Sequence, residues 1–159
     1  MRLIKPAYIV FASFCVCLSS FAVAAAGKIS VSDVYARATF PMAETAAVYM
    51  QIENSSDASV TLQQVTVSEE LAADAQLHTT LLQGDMAKMR ALPEGVAIPA
   101  KQRMQLSPAG HHIMLTGLKK GLAAGDTVPL VLKFSNGLTI DIKAEVRMLD
   151  NEGAHHHHQ

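Results

Sequence analysis

The sequence predicts an all-β protein folded as a single two-sheet sandwich, and three observations carry that expectation. From Lys28 onward, apolar residues recur at every second position far more often than at every third or fourth, which is the spacing of strands that bury one face. Turn residues interrupt these runs at short intervals, leaving little room for helices. The run TVPLVLKFSNGLTIDIKAEVRM (127–148) is two alternating segments around Asn136-Gly137, a strong short-range hairpin signal. Seven to nine short strands in a domain of ~130 residues suit a Greek-key sandwich, which fixes no function by itself.

Residues 1–26 are set apart from the domain. Arg2 and Lys5 supply a positive start, residues 7 to 18 an apolar run, and Ala22, Ala24 and Ala26 small-residue cleavage positions. This is the layout of a secretory signal, with cleavage expected near Ala24 to Ala26. The apolar run is too short for a good membrane span, so the expectation is an exported, periplasmic protein with no stable membrane insertion. The domain is then expected over 27–150, followed by a tail over 151–159.

In order along the chain, VSDVYARATF (31–40) and TAAVYMQIEN (45–54) read as strands separated by Pro41. SVTLQQVTVSEE (59–70) follows the Asn54-Ser55-Ser56-Asp57 turn, with Leu62 and Val65 to Val67 as core contributors. AQLHTTLL (75–82) and MAKMRAL (86–92) form a strand pair around Gln83-Gly84-Asp85, where glycine supplies the positive φ of a tight turn. Pro93, Gly95 and Pro99 then break the chain. RMQLSPAG is a short strand ending at Pro108, HHIMLTGL is another, and the 127–148 hairpin closes the domain. Short alanine-rich stretches at 69–75 and 119–124 are the only helix-like segments.

Composition excludes several function classes. Both cysteines, Cys15 and Cys17, lie in the export segment, so the remaining chain has neither a disulfide nor a thiolate metal site. Without Arg2 and Lys5 it carries 11 basic against 14 acidic residues, which is no footprint for nucleic acid. It offers no nucleophile elbow, no HExxH and no acidic cluster beside its histidines, so no enzyme is expected. An electron-transfer blue-copper site needs a cysteine beside two histidines.

Histidine and methionine are the informative residue types. Only His78, His111 and His112 fall within the domain, and seven methionines follow the export segment. His112-Ile113-Met114 puts an imidazole and a thioether on one strand face, because side chains alternate. His78 shares its face with Thr80, and the Gly84 hairpin brings Met86 and Met89 back towards it. Two imidazoles with one or two thioethers form a soft, uncharged donor set that suits Cu(I) better than Zn(II), Ca(II) or Mg(II). A methionine in a sandwich is more often gap-filling core. Met50 is assigned to packing, and Met104 and Met148 to core or surface.

With these residues in place, the chain resembles the PCuAC periplasmic copper chaperones, whose signature is His, ten residues, Met, twenty-one residues, then His-x-Met. Here Met89 follows His78 after ten residues, and His112-Ile113-Met114 follows Met89 after twenty-two. One inserted residue between Pro93 and Pro99 accounts for the difference; strict spacing would select His111 and put Ile113 where a methionine belongs. The resemblance also runs through ARATFPMAETAAVYMQIEN (36–54) and GHHIMLTGLKKGLAAGDTVPLVLKF (110–134). It implies a cupredoxin-like barrel, a Cu(I) site on His78, Met89, His112 and Met114, and Thr79 where some relatives carry another methionine. It further implies a monomer that delivers copper towards the CuA centre of cytochrome c oxidase, through subunit II or a Sco-type assembly factor. A metal-free binding or adhesion sandwich and a copper-sequestering tolerance protein are the alternatives.

The tail ends in His155, His156, His157, His158 and Gln159. Some members of the family carry a His- and Met-rich extension that handles Cu(II). An all-imidazole run favours Cu(II) over Cu(I), so a second copper site is expected there.

Overall fold

The computed structural model describes residues 29–84 and 86–148; the expected export segment and the histidine tail lie outside them. Among the described residues there are ten strands and no helix: β1 (Ile29–Arg37), β2 (Thr45–Asn54), β3 (Val60–Val67), β4 (Asp74–Gln83), β5 (Met86–Ala91), β6 (Val96–Ile98), β7 (Gln102–Leu106), β8 (His111–Thr116), β9 (Thr127–Phe134) and β10 (Thr139–Arg147). The fold is the expected all-β, cupredoxin-like sandwich. The helix-like stretches at 69–75 and 119–124 are turns and extended chain, short alanine-rich segments being too brief to nucleate a helix.

The strands follow the order β5-β4-β8-β2-β1-β10-β9-β3-β6, with β7 also paired to β2. The long β2 takes β8 along Thr45 to Val48 and β7 along Met50 to Asn54. This continuous sheet folds back on itself, so that β3 approaches β4 without pairing to it. Phe134, Met50, Ile52, Leu62, Leu106, Ile113 and Leu115 fill the space between the layers and are essentially inaccessible. Each strand buries alternate residues, as β9 shows over Val128, Leu130, Leu132 and Phe134.

Three features depart from the sequence expectation. Strand β6 lies inside the segment read as a break, and pairs Val96 to Ile98 with Leu62 to Val60. Its end is pinned by buried Asn54, whose Nδ2 donates to the carbonyls of Ile98 (3.0 Å), Pro99 (3.2 Å) and Ala58 (2.8 Å). The first and last strands pair in parallel, Tyr35 opposite Glu145, a neighbour relation that the hairpin signals of the sequence do not point to; parallel neighbours need a long crossover, and here nearly the whole domain supplies it.

The third departure is a β-bulge in β1. Ser32 pairs with Gln51 and Tyr35 with Tyr49, so Asp33 and Val34 together face Met50. Asp33 takes φ 48 to allow it, a conformation aspartate tolerates better than most residues. The bulge brings Tyr35, not Val34, opposite Tyr49.

The loop after β1 is fastened to the loop before β9. Thr39 and Leu122 exchange hydrogen bonds of 2.9 Å, and Gly121 N–H donates to the Pro41 carbonyl at 3.0 Å. A Cβ on Gly121 would sit 2.3 Å from the Phe40 carbonyl oxygen, so the approach requires glycine.

Candidate metal centre

Strands β4 and β8 pair so that His78 lies directly opposite His112, Gln76 opposite Met114 and Thr79 opposite His111. Leu77, Ile113 and Leu115 point into the core, so His78, His112 and Met114 share the outer face. The two imidazole centres are 6.0 Å apart. His111 lies on the other side of β8, with Ile113.

Strand β5 brings Met89 onto the same face, opposite Thr80, while Ala91 is the residue opposite His78. Met86 pairs with Gln83 at the hairpin end, too far along to meet His78. In the sheet, Met89 and Met114 thus lie on opposite diagonals from the histidine pair. Met89, His112 and Met114 nevertheless line one open cavity of about 520 Å³, with Tyr49, Thr80 and Pro108, roofed by the Phe40 loop. His112 is 3% exposed and Met89 62%: the cavity has a buried nitrogen at its floor and a reachable sulfur at its rim.

Hydrogen bonding fixes which nitrogen each imidazole presents. Gln76 Nε2 donates to Asp74 Oδ2 at 2.8 Å, so its Oε1 is the end that faces His78 Nε2 at 3.2 Å. An amide oxygen accepts only, so His78 Nε2 carries the proton and Nδ1 keeps a lone pair. That Nδ1 is buried and makes no hydrogen bond to protein, as is also true of His111 Nδ1 on the other face of the sheet. His112 Nδ1 lies 3.1 Å from the Gly110 carbonyl, to which it must donate, leaving Nε2 with the lone pair. Metal-binding imidazoles are oriented by such bonds through the other ring nitrogen.

Burial holds the His78 pKa below the usual imidazole value, and the neighbouring His112 lowers it further. Both effects favour the neutral, metal-binding form. Tyr49 beside the site is raised, mainly by burial and also by Tyr35, against the opposing pull of Arg37.

Among the described residues, no three His, Cys, Asp or Glu side chains converge to hold a metal. Met89 and Met114 place thioether sulfur on the same face as the two imidazoles, and imidazole with thioether is a donor set for a soft, low-charge ion. Gln76, Asp74, the Gly110 carbonyl and Tyr49 contribute to the centre without having been singled out in the sequence. Gln76 and His78 alternate on one strand, but nothing in the sequence told which ring nitrogen the amide takes.

The LpqE-like lipoprotein family model matches residues 29–146. The chain is 35% identical over 95 residues to Lxx21020 of Leifsonia xyli subsp. xyli, which bears a lipoprotein name; the match covers 60% of this chain and 56% of that protein, little more than half its length. Two solution structures from Deinococcus radiodurans are similar. Cu(I)-DR1885 is 34% identical, with 79% of this chain and 83% of that one covered and a TM-score of 0.58; apo-DR1885 is 31% identical, with 94% and 97% covered and a TM-score of 0.57. The copper-bound PCuAC domain from PmoF2, at 24% identity, 77% and 95% coverage and a TM-score of 0.62, shares the fold.

Proposed function

The chain belongs to the LpqE-like family, of PCuAC type, and from that premise we propose that it is an exported copper chaperone which carries one Cu(I) and passes it to another protein. The ligands in this reading are His78, Met89, His112 and Met114. The observation that carries it is the buried, partnerless Nδ1 of His78, on a ring 6.0 Å from that of His112. Apart from a metal, only a donor hydrogen could satisfy that atom.

Neutral ligands fit a carrier. No thiolate has to be protonated for release, and the thioethers resist the oxidation that would join thiols into a disulfide. Met89 at the rim is the ligand a recipient reaches first, so exchange begins there and ends at His112. The recipient is a copper-accepting protein on the route to CuA of cytochrome c oxidase, subunit II or a Sco-type factor. The protein acts as a periplasmic monomer, and His155 to His158 form a separate Cu(II) site.

X-ray absorption of the Cu(I) form tests the ligand set: a mixed sulfur and nitrogen shell supports it, and a pure nitrogen shell contradicts it. His112→Ala with Met114→Ala removes stoichiometric Cu(I) binding; retained binding refutes the ligand assignment, and wild-type protein that takes up no Cu(I) leaves a metal-free binding module as the better reading.

A further inference from the structure

One row of side chains crosses the outer face of four strands. It runs from His78 on β4 to His112 on β8, then to Tyr49 on β2 and Tyr35 on β1. Successive ring centres are 6.0, 6.4 and 5.2 Å apart, all within the 4.5–7 Å of interacting aromatic pairs. Tyr35 and Tyr49 are the only tyrosines among the described residues, which hold no tryptophan and no cysteine. The bulge at Asp33 is what places Tyr35 in the row. Tyr49 is buried at 5% exposure and lines the same cavity as His112 and both methionines. Tyr35 is half-buried at the outer end, with the Arg147 guanidinium 5.3 Å from its ring centre.

We infer that Tyr49 and Tyr35 form a relay that carries an oxidising equivalent from the copper-holding His112 to the protein surface when the loaded protein meets hydrogen peroxide. The inference rests on the copper reading of the site. A cuprous ion between two thioethers is exposed to a specific hazard, because peroxide reduced by one electron gives an oxidant that attacks the nearest electron-rich group. Methionine oxidised to the sulfoxide is a poorer ligand for Cu(I) and needs a reductase to be restored. A phenol loses one electron readily, and electron transfer between rings in near contact competes with oxygen transfer to sulfur.

The electrons and atoms balance. The O–O bond of peroxide breaks with uptake of two electrons and two protons, giving two waters. One electron comes from Cu(I), which becomes Cu(II). The second comes from Tyr49, whose phenolic proton is released into the open cavity and serves as one of the two protons; solvent supplies the other. The product is a neutral tyrosyl radical. Tyr35 then gives an electron to Tyr49 and a proton to solvent, Tyr49 recovers its proton, and the radical ends on half-buried Tyr35 of β1. Ordinary packing explains ring contact between cross-strand neighbours, but does not predict radical transfer or sparing of the methionines.

The test uses the full chain loaded with one equivalent of Cu(I) under anaerobic conditions, then mixed with hydrogen peroxide. Freeze-quench electron paramagnetic resonance reads tyrosyl radical, and mass spectrometry reads sulfoxide at Met89 and Met114. Tyr49→Phe keeps the ring and its packing; the expected result is loss of the tyrosyl signal and increased sulfoxide at both methionines. Tyr35→Phe is expected to leave the radical on Tyr49 and abolish its outward transfer. Wild-type protein that takes up Cu(I) but forms no tyrosyl radical overturns the relay alone. So does Tyr49→Phe protein that binds Cu(I) normally with wild-type radical yield and sulfoxide, or Tyr35→Phe protein whose radical spectrum and its evolution in time match those of wild type. A chain that takes up no Cu(I) overturns the copper reading and the relay together.

Discussion

Replacing Gln76 by alanine separates the metal centre from the fold more cleanly than replacing a ligand. Gln76 is exposed, and its amide does two things: it donates to Asp74 Oδ2 and accepts from His78 Nε2. Its removal leaves core packing untouched, so folding stability is expected to change by no more than about 0.5 kcal/mol. The effect falls on His78, whose Nε2–H loses its acceptor and whose tautomer is no longer imposed. A partner that orients a metal-binding histidine is typically worth 10–100-fold in affinity. A neutral hydrogen bond contributes about 0.5–1.5 kcal/mol net, and the exposure of Gln76 argues for the low end of the affinity range. The expected loss is therefore about tenfold in Cu(I) affinity, equivalent to about 1.4 kcal/mol. Competition against a chromophoric Cu(I) chelator measures it, with thermal denaturation as the control. Asp74→Ala, which frees the amide to turn without removing it, is expected to cost less. Cu(I) affinity within twofold of wild type for Gln76→Ala, or nitrogen NMR showing His78 protonated at Nδ1 in the wild-type apo protein, would refute the reasoning.

Met89→Leu and Met114→Leu are expected to preserve folding, each costing less than about 1.5 kcal/mol, while weakening Cu(I) far more than Cu(II); equal loss for both oxidation states counts against thioether ligation. Because burial and His112 lower the His78 pKa, the unfolded chain binds its proton at higher pH than the folded one. Apo stability should therefore decline as pH falls through the ordinary imidazole range near 6.5, and Cu(I) affinity should decline below ~6 as protons compete for imidazole nitrogen. Affinity flat from about pH 7.5 to 5 means that the two histidines are not both ligands. Deleting Glu152 to Gln159 is expected to remove a Cu(II) site and leave Cu(I) binding intact, as isothermal titration with each oxidation state would read. Gly121→Ala forces the Phe40 carbonyl away and should cost about 1–3 kcal/mol, read as a lowered Tm with Cu(I) binding retained.

Local pattern carried much of the site into the sequence. Alternation alone put His112 with Met114 and His78 with Thr80, and both assignments hold on β8 and β4. The Gly84 hairpin brought β5 back beside β4, but a turn motif does not state its register: Ala91, not a methionine, faces His78. What stayed hidden depends on pairing between segments distant in the chain. That His78 faces His112 follows from the β4–β8 register, set by which residues fill the common core and not by either strand alone. Strand β6 is three residues long between two breaks, and its sequence shows only Val96 and Ile98 as apolar; its existence follows from β3 offering an edge and from Asn54 tying its end. The bulge at Asp33 leaves no mark in the alternation of β1 strong enough to shift the expected partner of Tyr49.

Strand β5 ends the strand order and has a neighbour on one side only. All six of its residues are exposed, Lys88 and Arg90 among them. Charged side chains on such a strand discourage edge-to-edge association with another chain, while the missing second neighbour leaves its backbone amides expected to exchange with deuterium earlier than those of β8. Met89 rides on this edge strand, whereas His112 and Met114 stand on β8 between two partners. Fraying of one hairpin would then lift a single sulfur from the metal while three ligands stay in place, and the rate of that fraying, more than the strength of any copper bond, would set how fast the cargo can change hands.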